Sequence, residues 1–374
     1  MDFDFSDDQE SLRDAVQRWV DKGYDFERRK SIVKDDGGFS RTAYGELAEL
    51  GLTGLYVPED HGGMGFGPVD AMVVMEELGR GIVMEPIGQT LAVTGMLGAY
   101  ADASVQEAWL PKIASGESLV TLAYLERKTR YRHDTCETRA SKGANGTDYT
   151  LTGTKSVVIA GDKADGWLVS AMLDNKLALF LVAKGASGAS TQGYGTQDGG
   201  RAAELTLSST PATLAVADGA TALDHGLDIA IAAACAEAVG IMDKAVATTA
   251  EYLNTRKQFG VVISSFQALR HRMADLKMQL ELARSMSYYA TLKLNAPAEE
   301  RSRAIARAKV QLGQSMRFVG QQSVQLHGGI GMTDEYIVSH YFRRLTQLEM
   351  SFGDTLYHLG QVSEHMTETA GVFA

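Results

Sequence analysis

The sequence predicts an α+β protein in three successive parts. These are an N-terminal helical domain over 1–118, a central antiparallel β domain over 119–216, and a C-terminal four-helix bundle domain over 217–374. Three observations carry this. In the first and last parts, apolar residues recur at three- and four-residue steps. Between them β-forming residues and turn residues take over. No long helical pattern interrupts that middle part, so parallel crossovers have no helix to run through, and the strands are expected to pair antiparallel.

The first part opens with "SDDQESLRDAVQRWV", where Ser6 and two acids precede an amphipathic run, the pattern of an N-cap and a helix. Further along, "PEDHGGMGFG" (58–67) is a glycine-rich loop, and "VDAMVVMEELGR" after it reads as a helix starting near Pro68. In the middle part, Thr121, Tyr149, Leu151, Val157, Val158 and Ile159 are β-formers, and "NKLALFLVAK" reads as a buried strand. The run "GASGASTQGYGTQDGG" is expected to form surface loops. The basic run "ERKTRYRH" (126–133) reads as a solvated loop, with contact to coenzyme A phosphates as the functional alternative.

The last part contains the stripe Met273, Leu276, Leu280, Ala283, Met286, Ala290 and Leu294, the face of a long core-directed helix. Ahead of it, "RKQFGVVISSFQ" (256–267) sets a cation, Arg256, and a carboxamide, Gln267, on either side of a Phe-Gly break. As plain structure this is a helix-helix corner, with Phe259 a buried plug and Gly260 a helix C-cap. "QLHGGIGMTDEY" (325–336) then interrupts the helices with a Gly-Gly pair, inside which His327 is expected to pack. "RHRMADLK" places basic residues at a helix start, against the dipole preference, so an acid or a phosphate nearby is expected.

A formal net charge of -11 excludes general nucleic-acid or anionic-membrane binding, so any phosphate site must be local. No stretch has about 18 unbroken apolar residues, and the acidic start lacks the pattern of a secretory signal, so the expected location is cytoplasmic. Cys136 and Cys235 lie far apart in unlike segments, which supports neither a disulfide framework nor a metal site.

Helices around a β domain, "PEDHGGMGFG" followed by "MEELGR", "TRKQFG" with "FQALRHRMADLK", and "QLHGGIGMTDEY" together resemble the acyl-CoA dehydrogenase family over nearly the whole chain. Within that family the resemblance is strongest to the small subunits of pimeloyl-CoA dehydrogenase-like heteromers. It implies FAD as cofactor, an acyl-CoA thioester as substrate, electron-transfer flavoprotein as acceptor, and an ADP grip made across a subunit interface. Carried over, that grip is Arg256, Phe259, Gln267, Gln325, Gly328 and Gly329. Their chemistry agrees: a guanidinium fork suits pyrophosphate oxygens, glycines admit close backbone N–H groups, and carboxamides both donate and accept.

The other half of the family pattern is altered. Where the flavin ring normally lies on a Trp-Ile-Thr/Ser strand, "KSVVIAG" places Val157 and Ile159, and the family's Thr-Glu-Pro is matched to Ala123, Tyr124 and Leu125 in "TLAYLE". Neither family position for the catalytic glutamate is acidic: one holds Phe352 in "EMSFGD", the other Ala230 in "GLDIAIAAA". Asp354 and Asp228 lie two residues away, about 200° around a helix, and make poor substitutes. No catalytic residue is therefore assigned. The leading expectation is the non-catalytic small subunit of an α2β2 enzyme, paired with a homologous catalytic chain. The alternatives are a homotetrameric flavoenzyme with an atypical base or a base-free reaction, and a flavin-free scaffold.

Overall fold

The computed structural model describes residues 5–143 and 148–369. Helices run to residue 114: α1 (Asp7–Gly23), α2 (Phe26–Asp35), α3 (Arg41–Glu49), α4 (Pro68–Arg80), α5 (Ile87–Tyr100) and α6 (Ala103–Ala114). Strands follow: β1 (Val120–Ala123), β2 (Arg139–Lys142), β3 (Tyr149–Ile159), β4 (Gly166–Leu173), β5 (Lys176–Ala183), β6 (Ala189–Gly195) and β7 (Arg201–Val216). The remainder is α7 (Gly219–Thr255), the short strands β8 (Lys257–Gln258) and β9 (Val261–Val262), α8 (Gln267–Lys293), α9 (Ala298–His327), α10 (Ile337–Met350) and α11 (Thr355–Thr369). Among the described residues the C-terminal part holds five helices, with α11 packed on α9.

By packing, the chain forms two compact units. The first comprises the chain up to Arg29, Pro68–Val83, and Ile231 onward. Its local rules are those legible in the sequence. Ser6 accepts from the Gln9 backbone while the Gln9 side chain accepts from Ser6 N, a capping box worth about 1 kcal/mol. α4 and α7 cross at a reciprocal glycine contact. A Cβ on Gly79 would strike the Glu237 carbonyl, and one on Gly240 would strike that of Glu76. Charges along this seam are paired: Arg344 makes a two-pronged contact to Glu237 at 2.6 and 3.0 Å, and Arg80 reaches Asp243 at 2.6 Å. On α8, Leu276, Leu280, Ala283, Ala290 and Leu294 are buried as the stripe predicts, with Met273 and Met286 half-buried.

The second unit comprises Lys30–Gly67 and Met84–Ala230. Its sheet closes on itself: β4 pairs β5, β5 pairs β7, β7 pairs β3, β3 pairs β2, and Arg139 of β2 meets Met172 of β4. Closure pairs these five strands with one another, while among the described residues β1 and β6 are each paired on one side only. Two expectations are corrected here. The sheet is not wholly antiparallel: β1 runs parallel to β4, Val120 beside Gly166 through Ala123 beside Val169. The link from β1 to β4 contains a hairpin's worth of strand instead of a helix, so absence of a helical pattern did not exclude a parallel pair. The glycine-rich run also contains a strand, β6, registered on β7 from Ala189–Leu207 to Gly195–Arg201. Its side chains are mostly exposed, so it lacks the apolar alternation that reveals a strand.

Candidate cofactor-binding site

α7 ends at Thr255, and Arg256 N still donates to Tyr252 O at 2.9 Å. Beyond it the chain makes a two-residue β-hairpin in place of the expected helix corner. Lys257 pairs with Val262 and Gln258 with Val261, and Ile263 N donates to Arg256 O at 2.9 Å. The turn residues Phe259 and Gly260 have φ of 56° and 81°, the double left-handed geometry of a tight hairpin. Gly260 is therefore a turn glycine and caps no helix. Phe259 is 89% exposed, not a buried plug, and touches the Phe266 ring edge-on at 6.0 Å. The usual first residue of such a turn is Asn or Asp, so Phe-Gly concealed it.

Gln267 opens α8 with its side chain exposed. The basic first turn has internal uses: Arg270 Nε donates to Ser264 O at 2.7 Å, and Arg272 Nη1 donates to Gln322 Oε1 at 3.3 Å, tying α8 to α9. Beside the hairpin base a cleft of about 300 Å³ is lined by Ala250, Leu253, Asn254, Ser264, Arg270 and Met273. None of the six carried-over grip residues lines it.

At the end of α9, Gly328 N donates to Gln325 O, and Gly328 itself adopts φ 65°, ψ -140°, a conformation essentially reserved for glycine. A Cβ on Gly328 or Gly329 would meet open space, so the turn offers an accessible backbone. His327 is buried, as expected, and its ring stacks on Tyr252 at 4.4 Å with Tyr336 5.2 Å away. Burial lowers the His327 pKa. Through Tyr252 the hairpin of Arg256 and the turn of Gln325, Gly328 and Gly329 share one end of the helical unit. All six residues are exposed. Among the described residues the side chains of Arg256, Gln267 and Gln325 have no hydrogen-bond or ion-pair partner.

Phe352, matched to one family position of the glutamate, lies in a left-handed turn. Phe352 has φ 59° and Gly353 φ 101°. His358 Nε2–H donates to Phe352 O at 3.0 Å, and Lys309 Nζ, 1% exposed, donates to the carbonyls of Leu348 and Glu349 at 2.9 and 2.8 Å, closing the end of α10. Burial pushes Lys309 down to about 8 and His358 down to about 4. Asp354 is occupied structurally, since its Oδ1 accepts from Tyr357 N at 2.8 Å at the start of α11. In the other unit, Ala230 and Asp228 are both buried.

The strand matched to the family's flavin-ring strand is β3. Its pairing with β7 shifts between Lys155 and Val158, and the bulged residue Val157 takes φ 53° and stays 40% exposed. Ile159 is half-buried and Ala123 buried. Neither offers an aromatic face or a hydroxyl. Beside the bulge lies a pair that the sequence reading missed. Lys155, 0% exposed, contacts Glu126 Oε1 at 2.8 Å and Ser170 Oγ at 3.0 Å. Glu126 also accepts from Thr138 N, Thr138 Oγ1 and Glu137 N. Burial alone would raise the Glu126 pKa, but the Lys155 charge and these hydrogen bonds bring it below the ordinary value. Glu126 was concealed at the head of the basic run, whose Arg127, Lys128 and Arg132 are indeed solvated. The available signal was Lys155 itself, on the same strand face as buried Leu151 and so in need of a carboxylate.

Both cysteines are free and buried, and no cluster among the described residues would hold a metal ion. Nor is any described helix long and apolar enough to cross a membrane.

A helical unit and a unit built on a closed sheet, the former carrying the exposed Arg256, Gln267, Gln325, Gly328 and Gly329, define the class of protein with which the chain compares. Residues 6–117 match the profile of the acyl-CoA dehydrogenase N-terminal domain and residues 217–367 that of the C-terminal domain, so the chain belongs to the acyl-CoA dehydrogenase family. The Mycobacterium tuberculosis acyl-CoA dehydrogenase FadE27 is 27% identical over 99% of this chain and 100% of its own length. The ChsE4–ChsE5 complex from the same species contains a chain that superposes with TM-score 0.88 at 26% identity, covering 98% of this chain and 99% of that one. A glutaryl-CoA dehydrogenase from Mycobacterium smegmatis, solved with FADH2, shares the fold, with TM-score 0.88 at 20% identity over 97% of this chain and 95% of that one. FAD is the cofactor of these dehydrogenases.

Proposed function

We propose that the chain is the non-catalytic small subunit of an FAD-dependent acyl-CoA dehydrogenase, an α2β2 assembly with a homologous catalytic partner. Arg256, Phe259, Gln267, Gln325, Gly328 and Gly329 hold the ADP half of a flavin whose ring lies in that partner. The observation that carries this reading is the exposure of all six grip residues, with three of their side chains unengaged, while the base position holds Phe352 in a rigid turn. The ADP half of FAD fits what is present: an open glycine turn and an unpaired guanidinium on the same end of the unit. The ring half fits poorly, because the β3 bulge presents Val157 in place of an aromatic or a hydroxyl. When bound, FAD supplies the hydride acceptor for α,β-desaturation of an acyl-CoA thioester, with electron-transfer flavoprotein as the onward acceptor. Assembly as unlike chains is also what the similar ChsE4–ChsE5 complex has in its name.

In this reading 1–118, 119–216 and 217–374 are the three domains, the setting is cytoplasmic, and the acyl group is that of a fatty acid or of a dicarboxylic acid. The retained bulge, with Val157 still open at the surface, favours a second reading: a homotetramer that seats the whole flavin and uses an atypical base or a base-free reaction. Purification of the chain alone and with a co-expressed homologous partner separates the two. A colourless single chain that acquires flavin only in the assembly supports the first, and one flavin per subunit in the single-chain form overturns it.

A further inference from the structure

The far end of the Gly328–Gly329 turn is anchored by a histidine whose protonation state is set by its neighbours. Thr333 N and Oγ1 both donate to Ile330 O, and the next residue, Asp334, offers its carbonyl to His340 Nε2 at 3.0 Å. On the other side of the same ring, Nδ1 lies 3.0 Å from Arg29 Nη1. A guanidinium can only donate, so Nδ1 accepts, the imidazole is neutral, and its one proton is on Nε2 facing Asp334. The ring is 6% exposed, Arg29 is 1% exposed, and Phe26 packs edge-on at 4.8 Å. Arg29 is itself fixed, with Nε donating to Ile82 O at 3.2 Å.

We propose that His340 is a positioning residue for the cofactor grip: as a neutral imidazole it bridges Arg29 and the Asp334 carbonyl and so anchors the turn of Gly328 and Gly329, and its protonation breaks the Arg29 side of that bridge and loosens the anchor. This rests on the reading of that turn as part of the ADP grip. A second N–H on the ring would point at the Arg29 guanidinium, breaking that bond and placing two buried cations together. The charged groups facing the ring are Arg29 from α2, Arg343 on α10 with Nη2 3.4 Å from Nε2, and the Asp334 carboxylate at 3.7 Å. The carboxylate favours the charged ring, but it already pairs with Arg343. Burial, against the hydrogen bond to the Asp334 carbonyl and helped by the two arginines, holds the His340 pKa below its ordinary value. Folded protein therefore resists a proton that the released segment accepts, and the closed turn loses ground as pH falls below the ordinary imidazole value of about 6.5.

The test uses the assembled complex as wild type, His340→Gln and His340→Ala, following release of bound FAD by its fluorescence from about pH 7.5 to about pH 5. A glutamine amide accepts from Arg29 and donates to Asp334 O, yet never titrates. Wild type is expected to lose flavin affinity about tenfold or more on acidification, His340→Gln to hold it without a pH trend, and His340→Ala to be about tenfold weaker even at neutral pH. Equal acid loss in wild type and His340→Gln would overturn the proposal, as would full retention by His340→Ala. Nitrogen-15 imidazole shifts of the flavin-free chain give an independent readout. They should report the Nε2–H tautomer, and a Nδ1–H tautomer would overturn the proposal whatever the flavin does. Absence of flavin from all three assemblies at every pH would sink the grip reading and this role together, whereas flavin held by His340→Ala sinks this role alone.

Discussion

The hairpin of the helical unit and the bulge of β3 in the barrel unit each hold a bulky residue in the left-handed region, Phe259 at φ 56° and Val157 at φ 53°. Such a conformation costs roughly 1–2 kcal/mol. Their surroundings differ. Around Phe259 the charge of Arg256 and the amide of Gln267 are exposed and unengaged. Around Val157 the polar groups are used within the chain: Lys155 is neutralised by Glu126, and Ser156 donates to Glu204 at 2.9 Å. Strain beside unengaged charge is what the proposed ADP grip requires, whereas strain beside satisfied charge is explained within the chain. The difference is what the proposed division of the flavin between two chains rests on.

The largest effect should come from breaking the satisfied side. Lys155→Met leaves the Glu126 carboxylate buried without its cation and should cost about 3–5 kcal/mol, read from urea unfolding of the single chain. The companion Glu126→Gln/Lys155→Met should recover part of that loss. Because the folded-state Glu126 pKa is depressed, the pair's contribution is present above the ordinary carboxylate pKa and is lost as pH falls through the folded one. A cost under about 1 kcal/mol would mean the pair behaves as a solvated one and the contrast between the two regions fails.

The unengaged side should answer differently. Arg256→Ala in the assembled complex should weaken flavin binding by about 1.5–3 kcal/mol, roughly 10- to 150-fold, and leave the unfolding of the flavin-free chain unchanged. Dialysis followed by flavin absorbance measures the first, and thermal unfolding the second. A fall in melting temperature with flavin content intact would invert the assignment.

Much of this was legible in the sequence where local chemistry is periodic or capped: Ser6, Pro68, the α8 stripe and the strand of "NKLALFLVAK" all fall where their patterns place them. The helical-strand-helical order was legible for the same reason. What stayed hidden involved partners distant in sequence. The parallel pairing of β1 with β4 leaves no periodic trace. β6 is solvated on both faces, and its strand character comes from β7. Of the candidate site, the six residues come from resemblance alone, and the hairpin beside Arg256 that carries Phe259 was not foreseen, because Phe in place of Asn removes the turn signal. Glu126 and Lys155 were missed because a buried ion pair between residues 29 apart looks, in sequence, like two solvated charges.

Relieving the strain at the hairpin sharpens the comparison at a smaller scale. Phe259→Gly removes the left-handed penalty and, since Phe259 is 89% exposed, removes little packing, so the single chain should gain up to about 1 kcal/mol in stability. Flavin retention by the complex should fall at the same time. Opposite signs for stability and binding are expected only where strain serves a ligand. A loss of stability would show that Phe259 packs for the fold.

The smallest expected effect is also the most exposed prediction: Phe352→Glu should not turn the chain into a dehydrogenase. The substitution restores a carboxylate at the family's base position, and the turn is prepared to hold it. Residue 352 keeps its left-handed backbone, His358 still holds its carbonyl at 3.0 Å, and Lys309 still closes α10. General-base catalysis contributes about 10²- to 10⁴-fold, but only when the substrate is held against its acceptor. In the proposed reading the acceptor's ring lies in the partner chain, for Val157 and Ile159 offer it neither a stacking face nor a hydroxyl. The measurement is anaerobic mixing of the single-chain variant with FAD and a panel of acyl-CoA thioesters, watching the flavin absorbance. No bleaching is expected. Bleaching without a partner chain would mean that the bulged strand seats the ring after all, so that the exposed Val157 marks a second working surface and the homotetrameric reading replaces the heteromeric one.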